Sequence, residues 1–510
     1  MGRHWSRREW AKARLADEFL MRIPSHVAQE RSRVYVQVDN YIANYNIHMH
    51  HLLDENNKRL FPDGLSLITH WGLRDELKGQ YKNPDGFKRQ KMIQKVMQRI
   101  ITQTIPRDVI DNPELDWNPA TNTLYRKGTP AAAEPEPDTR YKNMLKVFHA
   151  EQNLDTYTPA YPTKIDRRFK HDREMSEQQF EELAESVLGA PIGKQVAELI
   201  SERLGRPLQP FDIWYNGFQS QGGPQESRLD SITSARYPNV RAFQADLGNI
   251  LRSLDFKADD AEFLASKITV DPSRGAGHAT GAKRAQDNAH LRTRLPESGM
   301  KYKGFNIAIH ELGHNVEQVF SLNRMDHYML EGVPNTAFTE AFAFVFQSRD
   351  LDVLGIDTKN EQQELFKALD TYWSTCEIAA VGLVDLRVWR WLYNHPDANA
   401  ADLKAAVIQI AKDVWNEYYA PLIGHDDSML LAIYSHMIAN GLYLPDYSLG
   451  HLIMFQIEQY LKNKPLGKEM ERMCRLGRLT PNFWMKQAVN EPVSSESLLK
   501  ATQQAVKALK

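Results

Sequence analysis

Cysteine, membrane-length apolar runs and an excess of one charge are what this sequence has least of. Its 510 residues include two cysteines, Cys376 and Cys474, too few and too far apart for a disulfide framework or a cysteine zinc site. No apolar window reaches the length of a membrane span. The 63 basic and 65 acidic residues leave a formal net charge of -2, so no overall field would attract nucleic acid or an anionic membrane. We therefore expect any partner to be bound at a local site.

The amino terminus bears on the compartment. Its first residues, MGRHWSRREWAKARL, are charged and lack the apolar stretch of a secretory signal. Two isolated cysteines also fit a reducing compartment. We therefore expect a cytoplasmic protein, while a signal peptide removed before the first residue would leave the same sequence.

Most of the chain has the spacing of α-helices, and strand patterns are few. One helix is clearly marked, because Ser176 and Gln179 form a capping box and Gly189 ends the helix. A chain of 510 residues exceeds the size at which a single hydrophobic core stops growing. We therefore predict a mainly α fold with an amino-terminal helical lobe over residues 1–205 and a second helical lobe over residues 206–510.

The segment 305–320, FNIAIHELGHNVEQVF, predicts a helix that carries a metal site. Its apolar residues share one stripe that would face the core: Phe305, Ile309, Leu312, Val316 and Val319. His310 and His314 are four residues apart, so their imidazoles stack one turn apart and can bind one ion, for which zinc is the expected metal. Glu311 can reach a water on that ion without being a ligand itself. Because a His-Glu-x-x-His motif also arises by chance, a third ligand decides the assignment.

The third ligand must lie further along the chain, because the His-x-x-Gly-x-x-His continuation is absent. The segment 333–347, VPNTAFTEAFAFVFQ, predicts a helix that is apolar almost all round. Its polar residues are Thr339, Glu340 and Gln347. An ionised carboxylate in that setting is costly unless a cation neutralises it, so Glu340 is the predicted ligand. A buried pair with an arginine would also explain Glu340, and Glu331 in the loop MLEGVP is the competing ligand.

The HELGH motif, followed 26 residues after its second histidine by Glu340, resembles the all-helical zinc peptidases that include thimet oligopeptidase, oligoendopeptidase F and angiotensin-converting enzyme. The segment 208–218, LQPFDIWYNGF, is similar to a Trp-Asp-x-x-Tyr-Tyr stretch of the oligopeptidases. The segment 443–456, YLPDYSLGHLIMFQ, is similar to the tyrosine-bearing segment after their metal helices. These likenesses span about half of the chain. They imply interleaved lobes flanking a deep substrate channel, oligopeptide substrates and one zinc ion.

The resemblance also implies roles for residues around the metal. Glu311 would take a proton from zinc-bound water and later give it to the departing amine. Tyr447 would donate to the oxyanion, and His436 would help to hold the substrate or the intermediate. Tyr443 and His278 are predicted substrate contacts, for which a packing tyrosine and an ordinary loop histidine are the alternatives.

The segment 289–295, AHLRTRL, alternates polar and apolar residues, which predicts a strand. By resemblance it would be an edge strand in a small antiparallel β element beside the metal-binding helix, where a peptide could pair through its backbone.

Two features depart from the family. Phe344 stands where several relatives carry an aspartate, so Glu317 is the candidate to orient a histidine, with a surface salt bridge as its alternative. The lysine and tyrosine that bind a substrate's terminal carboxylate in the converting enzyme have no match.

We therefore predict a zinc metallopeptidase that hydrolyses oligopeptides and excludes folded proteins. Neither nucleic acid nor a membrane is an expected partner, and the sequence leaves the oligomeric state open. A catalytically inactive zinc-binding scaffold or peptide-binding protein, suggested by Phe344, is one alternative. A metal-free helical interaction protein is the other. Metal analysis and chelator-sensitive peptide hydrolysis would separate the three.

Overall fold

Helices make up most of the computed structural model, which describes residues 2, 4–68, 72–218, 226–273, 277–296, 298–356 and 361–510. The first helices are α1 (Arg7–Asp17), α2 (Ser25–Ala43), α3 (Gly72–Gly79), α4 (Gly86–Ile101), α5 (Thr139–Gln152), α6 (Lys164–Asp166), α7 (Glu177–Leu188) and α8 (Ile192–Leu204). They are followed by α9 (Glu226–Arg236), α10 (Val240–Ser253), α11 (Ala258–Ser266), α12 (Tyr302–Asn323), α13 (Thr336–Gln347), α14 (Asp350–Val353), α15 (Glu361–Asn394) and α16 (Ala400–Tyr418). The last are α17 (Ala420–Ile423), α18 (His436–Ala439), α19 (Leu444–Leu461), α20 (Leu466–Cys474), α21 (Pro481–Val489) and α22 (Glu496–Leu509). The predicted mainly α fold is thus confirmed.

Local sequence signals explain where several helices begin and end. The side chain of Ser176 accepts from the backbone N–H of Gln179, and the Gln179 side chain accepts from the backbone N–H of Ser176. This is the predicted capping box, and Gly189 caps the other end of α7.

Among the described residues, no helix combines the length and the apolar character needed to cross a bilayer.

The buried helix α13 packs on both α12 and α19, and the long helix α15 packs on α19 and α22. The predicted apolar stripe of α12 faces this core, with every member at most 3% exposed. Gly313 lets α13 approach closely, because a Cβ atom there would lie 2.8 Å from the Ala343 Cα atom. Buried apolar residues form one cluster that runs from Trp10 to Val506. The division into two lobes at residue 205 stays a prediction.

Within the described segments, eight short strands form three small sheets. The strands are β1 (Asn46–His48), β2 (Ser66–Ile68), β3 (Asp116–Asn118), β4 (Thr123–Arg126), β5 (Thr129–Ala131), β6 (Ile268–Ser273), β7 (His278–Thr280) and β8 (Ala289–Arg294). The first two sheets are antiparallel, with orders β1-β2 and β3-β4-β5. The third has the order β6-β8-β7 and is mixed, since β8 runs parallel to β6 and antiparallel to β7.

The predicted strand at 289–295 is confirmed as β8, but its predicted position is wrong. β8 is the central strand, because Ala289, Leu291 and Thr293 are buried and both of its edges are paired. β8 packs on α12, and β7 is an edge strand beside the same helix. The glycine-containing segment SRGAGHATGA (273–282), which includes β7, falls partly outside the described residues, at positions 274–276.

Replacing Gly313 with alanine is expected to destabilise the protein. The added Cβ atom would lie 2.8 Å from the Ala343 Cα atom and 2.9 Å from the Phe342 carbonyl oxygen, so α12 and α13 would have to separate. Overpacking against backbone atoms costs about 3 kcal/mol, and alanine returns about 1 kcal/mol of helix propensity. We expect a net loss of about 2 kcal/mol in the free energy of unfolding, measured by urea denaturation.

Gly248→Ala in α10 is the matched control. Its Cβ atom would contact only the Arg252 side chain, at 3.6 Å, so helix propensity should dominate. We expect it to raise the free energy of unfolding by about 0.5–1 kcal/mol. Equal responses of the two variants would contradict the close packing at Gly313.

Candidate metal centre

Two neighbouring turns of α12 present a pair of imidazoles to one point. His310 and His314 have ring centroids 5.0 Å apart and an interplanar angle of 84°. Both side chains are largely buried, with exposures of 17% and 12%. The i, i+4 spacing therefore produces the side-by-side arrangement that the sequence predicts.

α13 brings a carboxylate to the same point. The Glu340 Oε2 atom lies 3.6 Å from the His310 Nε2 atom and 3.9 Å from the His314 Nε2 atom. The three donor atoms lie within 4.8 Å of one another, the only such group among the described residues. Donors of one zinc ion, each about 2.0–2.2 Å from the metal, are separated by similar distances. Two imidazole nitrogens and a carboxylate oxygen are a donor set that zinc accepts, and Glu331 does not belong to the group.

Burial determines the protonation of these side chains. It lowers the pKa of His310 to about 4 and that of His314 to about 3, so both rings are neutral at pH 7, the form that binds metals. Burial raises the pKa of Glu340 to about 7, and the Tyr443 hydroxyl, which donates to this carboxylate, opposes the shift. Within the described part of the chain, no arginine or lysine forms an ion pair with Glu340. A bound cation would stabilise the ionised carboxylate instead.

Glu311 lies beside the group and is held by β7. Its side chain is 9% exposed, and burial raises its pKa to about 7 although the Ala279 backbone N–H donates to it. A Cβ atom at Gly277 would lie 2.5 Å from the Ile307 Cγ2 atom and 3.2 Å from the Glu311 Oε1 atom. Only glycine therefore allows β7 to approach the carboxylate this closely.

Three predicted residues gather at the start of α19. The His436 ring is stacked on Tyr443 at 6.1 Å and lies edge-on to Tyr447 at 5.7 Å. The Tyr443 hydroxyl donates to the Glu340 Oε1 atom at 3.3 Å, so this tyrosine contacts a predicted metal ligand. His436 and Tyr447 also line a cavity of about 2200 Å³. His278 is exposed on β7, and its imidazole lies outside the metal group.

The fold of this chain matches known structures, although its sequence matches no known family. No family model matches the sequence, and no curated protein matches it either. A structure of Pz peptidase A with an inhibitor matches with a TM-score of 0.63 and 11% identity, covering 100% of this chain and 80% of the other. This chain has the fold of Pz peptidase A.

Two further structures share the Pz peptidase fold. A candidate oligoendopeptidase F matches with a TM-score of 0.60 and 11% identity, over 100% of this chain and 80% of the other. A candidate peptidase from Chlamydophila abortus matches with a TM-score of 0.53 and 11% identity, over 97% and 81%. The predicted resemblance to the all-helical peptidases is thereby confirmed at the level of the fold.

In this Pz peptidase fold, α13 also orients the histidines. The His310 Nδ1 atom lies 3.0 Å from the Gln347 Oε1 atom, and the His314 Nδ1 atom lies 3.1 Å from the Thr339 Oγ1 atom. Both Nε2 atoms are thereby left facing Glu340. The sequence signal was present, because Thr339 and Gln347 are polar positions on an otherwise apolar helix. Phe344 packs its ring edge-on against His310 at 5.3 Å.

A chain of hydrogen bonds fixes the tautomer of His310. Asp350 accepts from the Asn306 Nδ2 atom at 2.7 Å and from the Tyr302 hydroxyl at 2.6 Å. The Asn306 Oδ1 atom then accepts from the Gln347 Nε2 atom at 2.7 Å. The Gln347 Oε1 atom is left as the acceptor for His310, whose Nδ1 atom must carry the proton. The Nε2 lone pair is therefore available to a metal.

The prediction that Glu317 orients a histidine is wrong, and so is its surface alternative. Glu317 is 3% exposed and accepts from the Ser321 hydroxyl at 2.7 Å, one turn further along α12. Its i, i+3 spacing from His314 is suitable for a contact, but the Nδ1 atoms of both histidines are bonded to side chains of α13 instead.

Gln347→Leu is expected to weaken zinc binding by roughly 10- to 100-fold, because the His310 N–H would lose its acceptor. Competition with a chromogenic chelator measures the affinity. Ser348→Ala is the control, since Ser348 donates to Glu458 and not to a histidine. Equal zinc affinities of the two variants would contradict the orienting role.

Glu317→Gln is expected to change how stability depends on pH. Burial raises the pKa of Glu317 from 4.5 to about 7, so the unfolded state releases its proton first as the pH rises. Glu317 alone should lower the free energy of unfolding by on the order of 3 kcal/mol between pH 4.5 and about pH 7, with no such loss below pH 4.5. Because Glu311 and Glu340 titrate in the same range, the test is the difference between the wild-type and variant curves in urea denaturation at a series of pH values. That difference should change by this amount across the range, and curves that stay parallel would argue against the buried acid.

Proposed function

We propose that the protein is a zinc metallopeptidase that hydrolyses the peptide bonds of oligopeptides. The single observation that carries this proposal is the group formed by His310, His314 and Glu340, with Glu311 beside it. In the proposed enzyme the first three residues hold one zinc ion. The fold shared with Pz peptidase A supports the same conclusion.

When bound, zinc would supply a water of lowered pKa and polarise the peptide carbonyl. Glu311 is the proposed general base. A carboxyl group whose pKa is raised to about 7 can take a proton at neutral pH and return it to the departing amine. The Ala279 N–H holds the carboxylate in place for both steps.

Tyr447 and His436 are the proposed donors to the oxyanion. Both are hydrogen-bonding groups that line the cavity, and burial raises the pKa of Tyr447, which keeps its hydroxyl protonated. Tyr443 is better suited to positioning Glu340 than to contacting substrate, because its hydroxyl already donates to that carboxylate.

The edge strand β7 is the proposed backbone partner of the substrate, in place of β8. A peptide that extends the sheet beyond β7 would lie beside Glu311 and would be bound through main-chain groups, with little demand on side chains. His278 would then stand next to the peptide as a side-chain contact. The large cavity is the proposed substrate channel between the predicted lobes, and it would exclude folded proteins.

A cytoplasmic location also belongs to this proposal. The thiols of Cys376 and Cys474 are free and buried, as expected in a reducing compartment.

Glu311→Gln is expected to retain zinc and to lower peptide hydrolysis by at least roughly 100-fold, the typical contribution of a general base. His310→Ala is expected to lose both zinc and hydrolysis. Metal analysis of the purified proteins and a quenched peptide library provide the two readouts. Glu317→Gln, the same substitution two turns along α12, is expected to hydrolyse peptides at the normal rate.

Full hydrolysis by Glu311→Gln would contradict the assignment of the base. Zinc in the wild-type protein without any chelator-sensitive hydrolysis would support the inactive scaffold. Wild-type protein that retains no zinc would support the metal-free alternative.

A further inference from the structure

Two cations and one acid meet on a wall of the large cavity. Arg74 and Lys78 lie one turn apart on α3, and Glu377 comes from α15. The Arg74 Nη1 atom is 3.7 Å from the Glu377 Oε1 atom, and the Lys78 Nζ atom is 3.4 Å from the Glu377 Oε2 atom. These two side chains therefore share one carboxylate, and the trio carries one net positive charge.

The guanidinium group of Arg74 is held in a fixed orientation. Its central carbon lies 3.9 Å from the centroid of the Tyr434 ring, a stacked cation–π contact. Tyr434 is itself fixed, because its hydroxyl donates to Glu377 and accepts from the Trp214 Nε1 atom at 2.9 Å. The Arg74 side chain is 15% exposed, so this rigid cation borders the cavity in a poorly hydrated setting.

The trio of Arg74, Lys78 and Glu377 lies next to the proposed catalytic residues. Tyr434 precedes His436 by two residues, and His436, Tyr447 and His451 line the same cavity as Arg74 and Lys78. The charge of Arg74 acts to lower the pKa of Tyr447, against the larger effect of burial. A ligand group bound by Arg74 would therefore sit within electrostatic range of the proposed oxyanion donor.

We propose that Arg74 and Lys78 bind a carboxylate group of the peptide substrate near the scissile bond. This inference rests on the proposed peptidase function and narrows its substrate class to peptides that carry a carboxylate at that place. Two cations around one carboxylate make this part of the cavity wall electrostatically complementary to an anionic group of a ligand. The planar guanidinium group also suits bidentate binding of a carboxylate.

The carboxylate has two possible sources, the peptide's own C-terminus and an acidic side chain. Binding to zinc-loaded Glu311→Gln protein, measured by calorimetry, distinguishes them without turnover. In the first peptide pair, one member has a free C-terminus and the other an amidated one. In the second pair, both members are amidated, and one carries glutamate where the other carries glutamine. We expect the carboxylate form to bind roughly 10- to 100-fold more tightly in one pair, as for a charge-assisted contact.

Variants then assign the effect to the basic trio. Arg74→Gln, in the same Glu311→Gln background, is expected to abolish the preference for the carboxylate form, and Arg74→Lys to retain part of it. Lys78→Met should reduce the preference and tests the idea independently if Arg74→Gln fails to fold, since Lys78 is 33% exposed. Lys82→Met is the matched control. It removes an exposed cation one turn further on, outside the cavity, and should leave the preference unchanged.

Equal binding of both members of both peptide pairs would overturn the inference and would leave the trio as a structural link between α3 and α15. If the wild-type protein also cleaves all four peptides equally, the proposed function stands and only this inference fails. If the wild-type protein prefers carboxylate peptides but cleaves none, the peptidase is refuted, and with it the placement near a scissile bond, while carboxylate binding at Arg74 and Lys78 stands.

Discussion

α12 and α13 touch backbone to backbone at Gly313, and this contact sets the distance between the two histidines and Glu340. A larger residue would move α13 outward and with it the carboxylate. The same contact removes water from the three side chains, which keeps both imidazoles neutral and makes an unpaired Glu340 costly. Backbone packing thus controls both the geometry and the electrostatics of the candidate centre.

Hydrogen-bond donors around the centre offset part of the cost of burying its carboxylates. Glu311 receives a backbone N–H from β7, and Glu340 receives a hydroxyl from Tyr443. Each contact offsets part of the lost hydration and fixes the orientation of a carboxylate. The centre is therefore built by two helices and completed by a small sheet and by the start of α19.

The sequence could predict those parts of the site that depend on local spacing. The apolar stripe of α12, the pair His310 and His314, and the isolated acid Glu340 all follow from helical periodicity. Strand periodicity located β8 but not the strands beside it. The order β6-β8-β7 depends on which segments pair with β8 in the tertiary structure, and periodicity carries no information about that pairing.

The sequence pattern does not reveal contacts between distant segments. Nothing in the pattern of α3 connects Arg74 with Glu377, which lies about 300 positions later, since only the tertiary structure brings these two side chains together. Gln347 was visible as a polar residue on an apolar helix. Its partner was not, because the direction of a side-chain amide follows from the groups on both of its sides.

The hydrogen-bonded series from Asp350 through Asn306 and Gln347 to His310 has a consequence for finding related proteins. It places an asparagine four positions before the first histidine, a glutamine seven positions after the glutamate and an aspartate three positions beyond that glutamine. A search that requires an aspartate four positions after the glutamate would pass over such sequences. A search that accepts this spacing of amides instead should recover proteins of the same fold whose overall sequence identity is too low to reveal the relation.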